Sequence, residues 1–133
     1  MGIRLEVSTE MERVWLYQFE GSWDWNDLTQ AMLQDEVLAA EKGWHDYDAI
    51  GDLSHSATLP SNGLSRLSSI LNSRFQRANV KKIVIVTQNS FFLAMYTIFK
   101  RMYNSKNMSF TVAATMEEAY AQINSRRAAQ TAS

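Results

Sequence analysis

Apolar and polar residues alternate at the start of the chain: Ile3, Leu5 and Val7 are separated by Arg4 and Glu6. A two-residue period is that of a half-buried strand. Ser8 to Glu12 read as a turn. Val14-Trp15-Leu16-Tyr17-Gln18-Phe19 predicts a second strand, rich in β-formers, and the short connection favours an antiparallel hairpin. Gly21 ends it, and the period then changes. Asp24 or Asn26 caps a helix, and Asp24 and Asp27 suit its positive end. Leu28, Met32, Val37 and Leu38 supply an inner stripe through about Glu41, and Gly43 stops the helix.

Tyr47 to Leu53 predicts a third strand. Leu64, Leu67, Ile70, Leu71 and Phe75 fall at spacings of three and four, which predicts a helix from about Ser61 to Ala78, entered through Pro60. Lys82 to Thr87 is a near-continuous β-branched run, the mark of a strand covered on both faces. Asn89 or Ser90 caps a third helix over Phe91–Tyr103, and Phe110, Val112 and Ala113 form a last strand. Thr115 and Glu118 make a capping signature for a final helix with Ala119, Tyr120 and Ile123 inward. The expected order is ββαβαβαβα. It implies a single α/β domain over residues 1–127, a mixed, mainly parallel sheet packed with four helices, and a frayed tail at 128–133.

Composition narrows the class. A chain of 133 residues, 46% hydrophobic and 20% charged, suffices for one globular core. With no cysteine, disulfides and thiolate chemistry are excluded. The amino terminus does not read as a signal peptide, and the longest apolar run, Ser90 to Phe99, is too short to span a bilayer, so a cytoplasmic protein without a transmembrane segment is expected. Net charge is −1, but residues 1–60 hold 12 acids against 3 Lys/Arg and residues 61–133 hold 2 against 10. Such asymmetry marks either an electrostatic partner surface or helices with solvated faces of one sign.

The stretch from Tyr47 to Leu67 carries the most specific signal. Asp52-Leu53-Ser54 ends a strand, and Pro60-Ser61-Asn62-Gly63-Leu64 opens a helix. With Ile83-Val-Ile-Val, Phe110-Thr-Val and Thr115-Met-Glu-Glu-Ala119, this succession resembles the STAS domain, the family of bacterial anti-sigma-factor antagonists and their relatives in sulfate transporters. The resemblance covers roughly residues 12–125. It implies a non-enzymatic regulatory domain that contacts a protein partner, an anti-sigma-factor-like kinase, through a site at Asp52, Ser54, Ser61, Asn62 and Gly63. Ser61 falls at the family's phosphorylated position, where a phosphate would meet a helix amino terminus. Pro60 and Asn62 stand where the family has an aspartate and a second hydroxyl residue.

A more distant likeness is to SEC14-type lipid-binding domains. Phe92, Tyr96, Phe99 and Tyr103 form an aromatic face beside Phe91, Met95, Ile98 and Met102. So broad an apolar surface implies a pocket for an apolar small molecule or lipid, a homodimer face, or a well-buried helix.

The remaining clusters are weak. His45, Asp46, Asp48, Asp52 and His55 lack a metal spacing and read as solvated polar residues. Ser54 or Ser61 with His55 and Asp52 are the residue types of a hydrolase triad, but no nucleophile elbow accompanies them. Arg66, Arg74, Arg77, Lys81 and Lys82 suggest a basic stripe, read as a solvated face and not as a nucleic-acid site. Trp23 and Trp25 read as core or as a pocket lip. No catalytic residue, cofactor or metal is expected.

Overall fold

The alternation in the first twenty residues becomes a hairpin. In the computed structural model, which describes residues 2–55, 65–66, 69–70, 80–88, 93–94 and 109–132, β1 (Ile3–Val7) pairs antiparallel with β2 (Val14–Glu20), Leu5 opposite Tyr17. Ser8 organises the turn between them, its hydroxyl accepting from the amides of Glu10 and Met11. The chain then forms α1 (Trp25–Glu41), and of the two expected caps, Asp24 and Asn26, Asp24 fills the position. Its carboxylate accepts from the Asp27 amide at 2.8 Å while the Asp27 carboxylate accepts from the Asp24 amide at 3.1 Å, so two orphan donors satisfy each other's side chains. Gly43, at φ +72, lets the chain leave the far end of α1 in the left-handed conformation.

β3 (Tyr47–His55) lies parallel to β2, β4 (Val80–Val86) parallel to β3, and β5 (Ser109–Ala113) parallel to β4. The sheet order is β1-β2-β3-β4-β5, mixed because β1 alone runs against its neighbour. α2 (Met116–Ala132) follows, capped by the Thr115 hydroxyl on the Glu118 amide at 3.1 Å. The helix runs through residues 128–132 of the expected tail.

The four-helix order ββαβαβαβα is corrected. Among the described residues the elements with defined bounds are five strands and two helices, in the order ββαβββα. Residues 65–66, 69–70 and 93–94 are helical, yet neither expected middle helix, 61–78 or 91–103, is defined as an element. The rest of both stretches lies outside the described residues. With this topology the STAS resemblance falls, and so do the regulatory function and the SEC14-type lipid pocket drawn from it. The motif that carried it also has a local explanation: Asp52-Leu53-Ser54 lies inside β3, which continues to His55, and Asp52 is there to bond Ser54.

Strand alternation sorts the core into two layers. Trp15, Tyr17 and Phe19 of β2, Ala49 and Leu53 of β3 and Ile83 of β4 face α1, whose Leu28, Ala31 and Met32 cover them. Val14, Ile50, Val84 and Val86 face the other way, against Ala119 and Ile123 of α2. Trp23 and Trp25 are core residues, with rings meeting edge to face at 5.3 Å. Gly51 leaves room on the α1 face of the sheet: a Cβ there would sit 3.1 Å from the Cδ1 of Ile85 and 3.3 Å from the Cε1 of Phe19.

Candidate functional site

Among the described residues, three polar groupings form around the buried or nearly buried acids Asp48, Asp35 and Asp52. Two hold the fold together, and the third is open to solvent.

The first is at the amino ends of the parallel strands. β3 is buried on both faces from Tyr47 to Leu53, so any charge within it needs a partner. Asp48 is 0% exposed. Its Oδ2 accepts from Arg126 Nη2 at 3.0 Å and from Arg127 Nε at 3.0 Å, with Arg127 Nη2 at 2.9 Å. Arg127 also donates to the carbonyls of Glu12 and Arg13, so one guanidinium ties the end of α2 to β3 and to the entry of β2. Lys82 stands opposite Asp48 in the β3–β4 register, nearly buried. Burial pushes its ammonium below the ordinary 10.5, Asp48 pulling it up and Arg126 pressing it down. Lys81 reaches Asp46 at 3.6 Å. The acids of the first half and the bases of the second therefore meet inside one molecule, and Asp48 and Lys82 are not the solvated residues expected of them.

The lowered Lys82 sets a pH test. Between its folded value and the unfolded 10.5, the unfolded chain binds a proton that the folded chain has released, so stability rises with pH there. Lys82→Met lacks that slope, while Asp48 keeps both arginines. The variant is expected to melt no lower than wild type at pH 7, with any advantage shrinking as pH approaches 10.5. Melting curves across that range check it; a lower melting point at pH 7 would mean that Asp48 needs the third cation.

The second grouping is internal. Asp35 of α1, 0% exposed, accepts from the hydroxyls of Tyr17 and Tyr47, the latter at 3.1 Å. It lies on the buried stripe of Leu28, Ala31, Met32 and Ala39. That spacing was the available signal for it. Val37, expected on the stripe, is instead 59% exposed.

The third grouping is at the carboxyl ends of β3 and β4. Asp52 Oδ1 accepts from the Ser54 amide at 3.0 Å and from the Ser54 hydroxyl at 2.6 Å; Asp52 is nearly buried and Ser54 exposed. His55 is exposed beside them, and the exposed Gln88 donates to the carbonyl of Ala114. This is no catalytic triad. The serine hydroxyl donates directly to the carboxylate, with no imidazole between them. Among the described residues no group of three or more His, Asp or Glu side chains is placed to hold a metal ion, and no helix is long and apolar enough to cross a membrane.

Of the expected site residues, the structure brings together Asp52 and Ser54. Ser61, Asn62 and Gly63, and the aromatic face of Phe92, Tyr96, Phe99 and Tyr103, lie outside the described residues, as do Arg74 and Arg77 of the basic stripe; Arg66 is exposed. No protein-family model matches the chain, and no curated protein matches it.

Proposed function

We propose that this domain works by binding a protein partner at the rim formed at the carboxyl ends of β3 and β4, without chemistry of its own. The observation that carries this reading is the Asp52–Ser54 pair. A nearly buried carboxylate commits Oδ1 to the amide and hydroxyl of an exposed serine, so the rim is ordered before contact and little freedom is lost on binding. Open α/β sheets meet their ligands outside the carboxyl ends of the strands. His55 and Gln88 add exposed polar groups at the same end. The hydroxyl donates directly to the Asp52 carboxylate with no imidazole between them, which favours recognition over catalysis.

The test is a photo-crosslinking residue in place of His55, expressed in the source cell, with Glu41 at the far end of α1 as the control position. A discrete protein adduct is expected at position 55 and not at 41, lost when Ser54→Arg is added. No adduct, or one that survives Ser54→Arg, sinks the proposal.

A further inference from the structure

We propose that two copies of this chain pair edge to edge through β1, antiparallel about Leu5, so that their five-stranded sheets join into one. At the ends of the β1–β2 ladder the Glu20 amide donates to the Gly2 carbonyl at 2.7 Å, and the Ser8 amide to the Val14 carbonyl at 2.9 Å. In the register that pairs Arg4 with Gln18 and Glu6 with Leu16, the even-numbered residues of β1 therefore turn their N–H and C=O groups toward β2. Ile3, Leu5 and Val7 turn theirs to the open edge. Among the described residues β2 is the only strand beside β1. An edge of this kind is a template for another strand.

What the edge fits is itself. Ile-Arg-Leu-Glu-Val has the same pattern of apolar and charged positions in both directions, with opposite charges at the two charged ones. Pairing about Leu5 sets Leu5 against the partner's Leu5, and Ile3 against the partner's Val7. Those are the residues whose backbone groups are free to exchange bonds, about six across the dyad. Arg4 then lies opposite the partner's Glu6, at the positions where an antiparallel pair brings side chains closest. Both side chains are available, with 61% and 41% of their surfaces exposed, and within one chain Arg4 already bonds Glu6 at 2.7 Å.

The same charges exclude the neighbouring registers. Moving the dyad by one residue either way keeps an antiparallel pair but sets Arg4 against the partner's Arg4, or Glu6 against the partner's Glu6, and like charges directly opposite repel. Only one isologous alignment satisfies the backbone, the apolar side chains and the charges together. An unrelated extended peptide would have to reproduce this pattern; a second copy carries it already.

Analytical ultracentrifugation at high micromolar concentration tests this with three proteins: wild type, Glu6→Arg and the double swap Arg4→Glu/Glu6→Arg. The wild type is expected to be a dimer. Glu6→Arg puts Arg4 against an arginine at both symmetric pairs and should weaken the dimer about tenfold or more. The double swap restores opposite charges and should restore the dimer. Hydrogen exchange on the unmodified chain gives a reading independent of any variant. The Leu5 and Val7 amides should gain protection as concentration rises, while the Glu6 amide, bonded to β2, should not change. A monomeric wild type, a Glu6→Arg dimer of unchanged strength, or Leu5 and Val7 exchange that ignores concentration would each overturn the proposal.

Discussion

Asp48→Ala is expected to lower stability by about 3 kcal/mol, the low end of what breaking a buried ion pair costs, and the melting temperature by roughly 10 °C for a chain of this size. The carboxylate is wholly buried and receives two guanidinium groups on one oxygen. Removing it leaves Lys82, Arg126 and Arg127 crowded at the amino end of β3 with no anion among them. The low end is appropriate because the arginine side chains keep 23% and 19% of their surfaces in solvent and can partly rehydrate. Arg126→Ala should therefore be milder, on the order of 1 kcal/mol, since Asp48 retains the bidentate contact with Arg127. Asp48→Asn keeps the shape and loses the charge, so it should fall close to Asp48→Ala and not close to wild type. Urea melts of the three variants check the order. A loss below about 1 kcal/mol for Asp48→Ala would place most of the arginine solvation outside the folded cluster's control.

The same cluster shows where sequence reading stops. The strands were legible because period two and β-branched runs are local signals: Ile3-Leu5-Val7, the β2 run and Lys82 to Val86 of the β-branched run all lie within strands. So were both caps, Asp24 and Thr115, because capping needs only residues three apart. Asp48 and Arg126 are far apart in sequence, and no periodicity links a strand start to the last turns of a helix. The charge asymmetry between the two halves was the one trace of that link. At the rim, Asp52 and Ser54 were singled out for a family motif, while the structure accounts for them by a hydrogen bond between residues two apart. The four-helix order is not the observed one: over 61–78 and 91–103 only residues 65–66, 69–70 and 93–94 are described, and neither stretch is defined as an element.

Asp35 was missed for a different reason: its position on the α1 stripe was readable, but a carboxylate is discounted when apolar residues are counted. Its removal should be nearly as damaging as that of Asp48. Asp35→Ala takes away the acceptor shared by the Tyr17 and Tyr47 hydroxyls, both in the core, and should cost about 3 kcal/mol. Asp35→Asn keeps one acceptor oxygen and should cost less, on the order of 1–2 kcal/mol. Tyr17→Phe alone leaves the bond from Tyr47 and should cost about 1 kcal/mol. The decisive variant makes the whole group apolar, Asp35→Leu with Tyr17→Phe and Tyr47→Phe. A polar group removed entire leaves no buried donor or acceptor behind, so this triple variant should be more stable than Asp35→Ala despite two further substitutions. Equilibrium urea melts with a constant denaturant slope measure the difference. Losses that add up across the three positions would show that the carboxylate and the two phenols do not act as a unit, and that α1 is held to β2 and β3 by its apolar stripe alone.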